Sequence, residues 1–344
     1  MATIYDIAKR AGVSASTVSL AFNQPHRLKA ETKARVLQIA KDLRYQPNHF
    51  AKALAGGRSK LIGLLVSDIR FPSTAASAWG VEEVLSESGF ATFVASTDGD
   101  KEKVERLVSQ FLAQGVGGFI FRPAQFGLTK ALLKTVKDLK ASKVPVVVVG
   151  HDTTDPDIDH VTFLPQHITQ EAVDYLINLG HKDIALIGGI PEQGVALPRY
   201  LGYQQSLFSN GLSLQEDYLV RGQLTPEVGF DGLVNLMNLA KPPTAVLAMN
   251  DVVAIGIIDA CVKNGVRLPE DLSLVSFDSG ALYERKTPAV TSMVIPMHEM
   301  GRQAAKTLLK RWHDESLPPQ RSVVECYLEV RETTAPPKDR VEAL

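Results

Sequence analysis

Apolar side chains in the first fifty residues recur at the three- and four-residue intervals of a helix face. Ile4, Ile7, Ala8 and Ala11 form one stripe, and Val18, Ala21 and Phe22 form a second. Thr3 followed three residues later by Asp6 reads as a capping box that starts the first helix at Ile4. Gly12 suits the left-handed residue that closes that helix, Ser14 suits the N-cap of the next, and only Val13 lies between them. Two helices joined this tightly cannot lie antiparallel and must cross steeply, the helix-turn-helix arrangement. A third helix is expected from Ala30 to Arg44, with Val36, Ala40 and Leu43 turned inward.

From Leu61 onward the period changes. Short β-branched runs, 61–66 (LIGLLV), 91–95, 118–121 and 144–149, alternate with helical stretches near 76–88, 102–114 and 128–141. The alternation restarts after Asp159 with 184–189, 244–249 and 272–277, again with helices between. Strands that are apolar throughout and separated by helices imply parallel sheets covered on both faces. Two such runs imply two α/β subdomains, and the cleft at the carboxyl ends of their strands is the natural place for a ligand.

Charge decides what the N-terminal helices are for. On pattern alone they could be a helical hairpin at the edge of a larger fold. Residues 1–60, however, carry eleven Lys or Arg against three Asp or Glu, whereas the whole chain of 344 residues has a formal charge of −1. A compact helical unit with that excess matches the electrostatic footprint of a nucleic-acid binder, since each phosphate it neutralises releases condensed counterions. No N-terminal apolar run of signal-peptide type and no twenty-residue apolar span occurs, so a cytoplasmic protein is expected, neither exported nor inserted in a membrane. Cys261 and Cys326 form no CxxC pair and read as reduced thiols.

The sequence resembles the LacI/GalR family of transcription regulators along nearly its whole length. The opening is carried by IYDIAKRAGVSASTVS and Asn23, and the hinge by Tyr45, Pro47, Asn48, Ala51 and Leu54 followed by Gly57, Arg58 and Ser59. Further blocks follow in family order: LGHKDIALIGG (179–189), RYLGY (199–203), MNDVVAIG (249–256), SFD (276–278), TPAVTS (287–292) and VRETTAPP (330–337). The fold this implies is an N-terminal all-α helix-turn-helix unit plus an α/β periplasmic-binding-protein-like core of two doubly wound parallel-sheet subdomains. The implied layout is a DNA-binding domain at 1–46, a hinge helix and linker at 47–60, one core subdomain at 61–160 with 293–322, a second at 161–292 with 323–337, and a polar tail at 338–344.

The resemblance also implies roles for particular residues. Base reading falls to Ala15, Ser16 and Leu20, none of them the Arg, Asn or Gln that makes bidentate contacts in the major groove. Tyr5, Ser19, Asn23, Arg27 and Thr32 stand where relatives contact phosphates, which positions the protein without reading sequence. In the hinge, Asn48, Ala51 and Lys52 accompany Leu54, the apolar wedge that enters the minor groove and kinks the duplex. Lys52 replaces the usual Arg, and Gly56 loosens the end of the hinge. A helix this short folds only with support, in the family on DNA.

For the effector, Asp251 and Arg199 hold the ligand from the second subdomain in relatives, a pair suited to hydroxyls because Asp accepts and Arg donates in a fixed fork. Opposing groups are expected from Ser73, Thr74 and His151. Here PSTA stands in place of an aromatic after Pro72, His151 in place of an Arg or aromatic, and 163–165 (FLP) in place of an Asp-Asn pair. The expected partners are double-stranded operator DNA, a sugar or related metabolite, and a second copy of the chain. A homodimer is favoured over a tetramer because the C-terminal segment is polar and lacks leucine repeats.

Other motifs fail. Asp155, Asp157 and Asp159 have calcium-loop spacing, but His160 replaces the required glycine and Gln166 the bidentate glutamate. GVGGF (115–119) precedes its strand, so it is no dinucleotide fingerprint. Neither a nucleophile signature nor a cofactor motif supports an enzyme. A free-standing sugar-binding module would leave the basic first sixty residues without a purpose.

Overall fold

The computed structural model describes residues 2–23, 25–43, 45, 59–123, 129–150, 155–190, 194, 196–278 and 288–338. They form two compact units, Met1–Ser59 and Lys60–Leu344.

The first unit contains helices α1 (Ile4–Ala11), α2 (Ala15–Asn23) and α3 (Ala30–Asp42). Thr3 donates from its backbone N and its Oγ1 to Asp6 Oδ2, each at 2.8 Å, and accepts from Asp6 N at 3.3 Å. The capping box is therefore complete, and it holds the Asp6 carboxyl below the usual carboxylate range. Gly12 lies at φ +65°, where a side chain is strained, and lets Val13 N donate to Ala8 O at 3.1 Å. Ser14 Oγ accepts from Thr17 N at 3.1 Å and opens α2. Ile7, Val18 and Val36 are fully buried at the centre, each contributing about 2 kcal/mol by burial, and Ala8, Ala11, Ala21 and Ala40 let the helices approach. Ile4, Phe22 and Leu43 pack around that centre without being enclosed by it. Helix α3 ends at Asp42 rather than Arg44, and Arg44 lies outside the described residues.

The second unit is built on two six-stranded sheets. Its strands are β1 (Leu61–Val66), β2 (Ala91–Ser96), β3 (Gly118–Arg122), β4 (Val146–Val149), β5 (Asp159–Thr162), β6 (Ile184–Ile187), β7 (Leu219–Val220), β8 (Ala245–Ala248), β9 (Ser273–Asp278), β10 (Thr291–Val294), β11 (Arg321–Val323) and β12 (Tyr327–Glu329). One sheet has the order β11-β5-β4-β3-β1-β2 and the other β12-β10-β9-β8-β6-β7. All pairings are parallel except that of β10 with β12. Along β1, Ile62, Leu64 and Val66 enter one apolar cluster and Leu65 another, so both faces of the strand are covered. That is why LIGLLV shows no polar alternation.

The chain passes from the first sheet to the second after Thr162, returns after Val294, and leaves again after Val323. Thr162, Val294 and Val323 each stay in the sheet the chain is about to leave, one or two residues past the expected boundaries, because the ladder continues to the strand's end. Asp159 and His160 open β5, a strand the hydrophobic pattern does not reveal. Asp159 is 2% exposed and takes a bidentate pair from Arg311, Nε to Oδ2 at 2.8 Å and Nη2 to Oδ1 at 2.9 Å. That pairing lets a carboxylate sit inside a sheet.

Helices α4 (Pro72–Glu87) and α11 (Met297–His313) pack closely enough to need glycine. A Cβ at Gly80 would lie 2.0 Å from His298 O, and one at Gly301 2.0 Å from Ser77 O. The remaining helices are α5 (Lys101–Ala113), α6 (Lys130–Ala141), α7 (Pro165–Asn178), α8 (Ala196–Ser209), α9 (Pro226–Met237) and α10 (Asp251–Asn264). Helix α4 starts at Pro72, four residues before the apolar pattern suggests, because proline suits the first helical position. No helix among the described residues is long and apolar enough to cross a membrane.

Candidate functional sites

Residues that follow the carboxyl ends of both sheets converge on one cavity of about 250 Å³. From the first sheet come Asp68 after β1, Asp98 after β2, Arg122 at the end of β3, and Phe163 after β5. From the second come Asn250 after β8 and Asp278 at the end of β9, with Arg199 from the first turn of α8. Ser73 and Thr74, in the first turn of α4, complete the polar wall.

Arg199 is 2% exposed. Its Nη1 donates to Met249 O, its Nη2 donates to Asp278 Oδ1 at 3.3 Å, and its guanidinium carbon stands 4.6 Å from the centre of the Phe277 ring. Three restraints from two segments fix one fork in place. Asp278 adopts φ +101°, a region that a residue with a side chain seldom occupies. Strain of this kind persists where surrounding structure holds it, commonly at ligand sites. Asn250 caps α10 by accepting from Val253 N at 2.9 Å.

On the facing wall, Arg122 donates from Nη1 to Thr74 Oγ1 at 2.6 Å and from Nη2 to Ser73 Oγ at 3.3 Å. Burial pushes its guanidinium down to about 10, while the charge of Asp278 works to raise it. It therefore remains a cation at neutral pH. The Nε atoms of Arg122 and Arg199 are both buried without a hydrogen-bond partner.

Of the effector residues expected from the sequence, Ser73, Thr74 and Arg199 line the cavity. Asp251 does not. It is 3% exposed and accepts from Ser276 Oγ at 3.2 Å, inside the second subdomain. His151 lies outside the described residues. Arg122, Asn250 and Asp278 line the cavity without having been singled out. The available signal was a charged residue ending an apolar strand: GFIF continues into Arg122, and LSLVSF into Asp278. Asp155 pairs with Lys137 at 2.6 Å and Asp159 with Arg311, so these two acids of the calcium-like spacing serve different partners.

In the helical unit, Tyr5 is 72% exposed, and Ser16 and Arg27 are exposed. Ser16 Oγ lies 2.7 Å from Ser14 Oγ, within the hydroxyl cluster that caps α2. Ser19, Leu20 and Thr32 are half-buried, and Ala15 gives part of its surface to the core. The side chain of Asn23 and all of Asn48, Ala51, Lys52 and Leu54 lie outside the described residues.

Comparison with known proteins agrees with this organisation. Residues 3–48 match the bacterial regulatory proteins of the lacI family, and residues 173–334 match the periplasmic binding protein-like domain. Catabolite control protein A of Priestia megaterium is 31% identical over 316 residues, 92% of this chain and 94% of the relative. The HTH-type transcriptional repressor PurR of Pectobacterium carotovorum is 33% identical over 316 residues, 90% of each chain. A lac repressor dimer bound to operator and the anti-inducer ONPF superposes with a TM-score of 0.86 at 26% identity, over 97% of this chain and 99% of that one. A complex of the regulator CelR with cellobiose gives a TM-score of 0.72 at 28% identity, over 97% of this chain and all of the other. The chain belongs to the LacI family of bacterial regulatory proteins.

Proposed function

We propose that this protein is a transcriptional repressor that binds a pseudo-palindromic operator as a homodimer and is controlled by a small metabolite in the cavity between its two sheets. It works in the cytoplasm, where chromosomal DNA is. Residues 1–46 read the operator, with Ala15, Ser16 and Leu20 toward the bases and Tyr5, Ser19, Asn23, Arg27 and Thr32 on phosphates. Residues 47–60 form the hinge, in which Asn48, Ala51 and Lys52 support the Leu54 wedge. One small reading unit offers too little interface for tight specific binding, which favours two.

The observation that carries this reading is the facing pair of walls in the cavity, Arg199 with Asp278 on one side and Arg122 with Ser73 and Thr74 on the other. A ligand held by both walls binds one spacing of the subdomains better than another, and that differential affinity is what allows it to shift the DNA-binding state. The operator-bound lac repressor and the cellobiose complex of CelR support the DNA and ligand halves of the proposal.

Sequencing genomic fragments retained by the purified protein tests it. Enrichment of a two-fold-related sequence, released by a metabolite whose binding is lost in Arg199→Ala, is the expected result. Retention without sequence preference, or tight specific binding by a protein that stays monomeric, refutes it.

A further inference from the structure

Three Arg and three Asp stand among the described residues that line the cavity, but hydrogen bonds do not pair them one to one. Arg70 is taken by Asp68, which accepts its Nε at 3.0 Å and its Nη2 at 2.7 Å. Asp98 is paired with Lys103. That leaves Asp278 as the remaining carboxylate among the described lining residues, facing two guanidinium groups. It bonds to Arg199. Arg122 is held by two hydroxyls at 2.6 and 3.3 Å and by Met297 Sδ at 3.6 Å, and no carboxylate among the described residues bonds to it.

The hydroxyls sharpen the point. Ser73 Oγ and Thr74 Oγ1 accept from Arg122, so each keeps its own O–H free to donate. Both residues lie in the first turn of α4, whose N-cap Phe71 offers no side-chain acceptor and whose first turn holds no acid. The positive end of the helix therefore carries neither a side-chain cap nor an acid of its own first turn at the same wall. Arg122, two hydroxyl donors and a helix N-terminus make a cluster of donors to which no carboxylate of the described residues bonds, within a cavity also walled by Phe71, Phe163 and Met297.

We infer that the effector is a small metabolite carrying an oxyanion, a carboxylate or a phosphate ester, which Arg122 receives with Ser73 and Thr74 while its hydroxyls bond to Arg199 and Asp278. The inference rests on the effector reading of this cavity given above. When a ligand fills the cleft and excludes water, a neutral hydroxyl against Arg122 leaves a desolvated cation with no carboxylate bonded to it and only the unbonded charge of Asp278 to offset it. An oxyanion cancels that charge and forms charge-assisted, bidentate hydrogen bonds, for which guanidinium is suited. At about 250 Å³ the cavity is smaller than the roughly 300–1,000 Å³ of pockets for drug-sized molecules, in keeping with a single small metabolite.

The test is a thermal-shift and calorimetric screen of the full-length protein against matched triples: neutral sugars and polyols, their acids, and their phosphate esters. Wild type is expected to take one class of anion at least about tenfold more tightly than the matched neutral compound. Arg122→Gln should erase that preference, Arg122→Lys should restore part of it, and circular dichroism should show both variants folded. Whether the acids or the esters bind identifies the oxyanion. Preferential binding of neutral compounds, sensitive to Arg199→Ala, overturns the inference and leaves the effector reading standing. Anion binding that Arg122→Gln does not weaken also overturns it. Binding of no compound at millimolar concentration counts against both the inference and that reading.

Discussion

Arg199 and Asp278 lie 79 residues apart in the chain, and Nη2 of the first donates to Oδ1 of the second at 3.3 Å. The pair joins the start of α8 to the end of β9, two positions that border the cavity. Asp278 accepts there at a positive φ while Arg199 is held from behind by Met249 O.

Asp278→Ala is expected to remove the effector response and leave operator affinity unchanged. Loss of one member of a buried charged pair costs about 2–5 kcal/mol, which lowers effector affinity by about thirtyfold or more. Calorimetric titration with the effector, alongside operator gel shifts, measures both. Wild-type effector affinity in the variant would place the ligand elsewhere.

Asp251→Ala should behave differently. Asp251 is buried beside Ser276 and does not line the cavity, so its replacement leaves polar groups unsatisfied and destabilises the core by about 1–3 kcal/mol. Urea unfolding followed by tryptophan fluorescence reports this. An effector affinity lowered to the extent seen for Asp278→Ala, with stability unchanged, would reverse the two assignments.

Operator affinity should fall steeply with salt, with a log–log slope of about −0.9 per phosphate neutralised. Ser16→Arg should create a preference for guanine at one position of each half-site, about 1–3 kcal/mol in discrimination. Selection from a randomised half-site library checks this. An unaltered consensus would mean that Ser16 does not face base edges.

Gly301→Ala is expected to cost about 1–3 kcal/mol or more, since its Cβ would lie 2.0 Å from Ser77 O and only a backbone shift relieves the clash. The same shift would move α4, which carries Ser73 and Thr74, so effector affinity should fall as well. A denaturation midpoint equal to wild type would show that the helices separate freely.

The core should lose stability in mild acid through His181. Its Nδ1 is 2.9 Å from Thr244 Oγ1 and its Nε2 is 2.9 Å from Ala335 O, and burial holds its pKa below the ordinary 6.5. The unfolded chain therefore binds the proton more readily. This contribution is complete above the unfolded pKa of 6.5 and declines as pH falls from there toward the folded value. His181→Gln should flatten that part of the stability profile measured by urea titration at a series of pH values. An equal slope in wild type and variant would assign it to other groups.

Much of this protein is written in local pattern. The stripe Ile4, Ile7, Ala8 and Ala11, the Thr3–Asp6 box and Gly12 specify a turn between two helices from contacts within a few residues, so sequence alone settles it. LIGLLV announces a doubly covered strand for a similar reason, since burial on both faces removes the polar alternation. Strand β5 was hidden because Asp159 is tolerated there through Arg311 and the backbone N of Gln320, 152 and 161 residues away. The cavity divides along the same line. That Arg199, Ser73 and Thr74 would border the cavity was legible from their places after strands, but where Arg122, Asp251 and Asp278 would lie was not. Which strand-end charge faces the cleft, and which turns inward to a partner such as Ser276, depends on side-chain pairings between distant segments. That Arg122 bonds to hydroxyls and to no carboxylate among the described residues likewise depends on pairings between distant segments. Local periodicity determines the elements and their order, and only the assembled fold decides which charges neutralise one another.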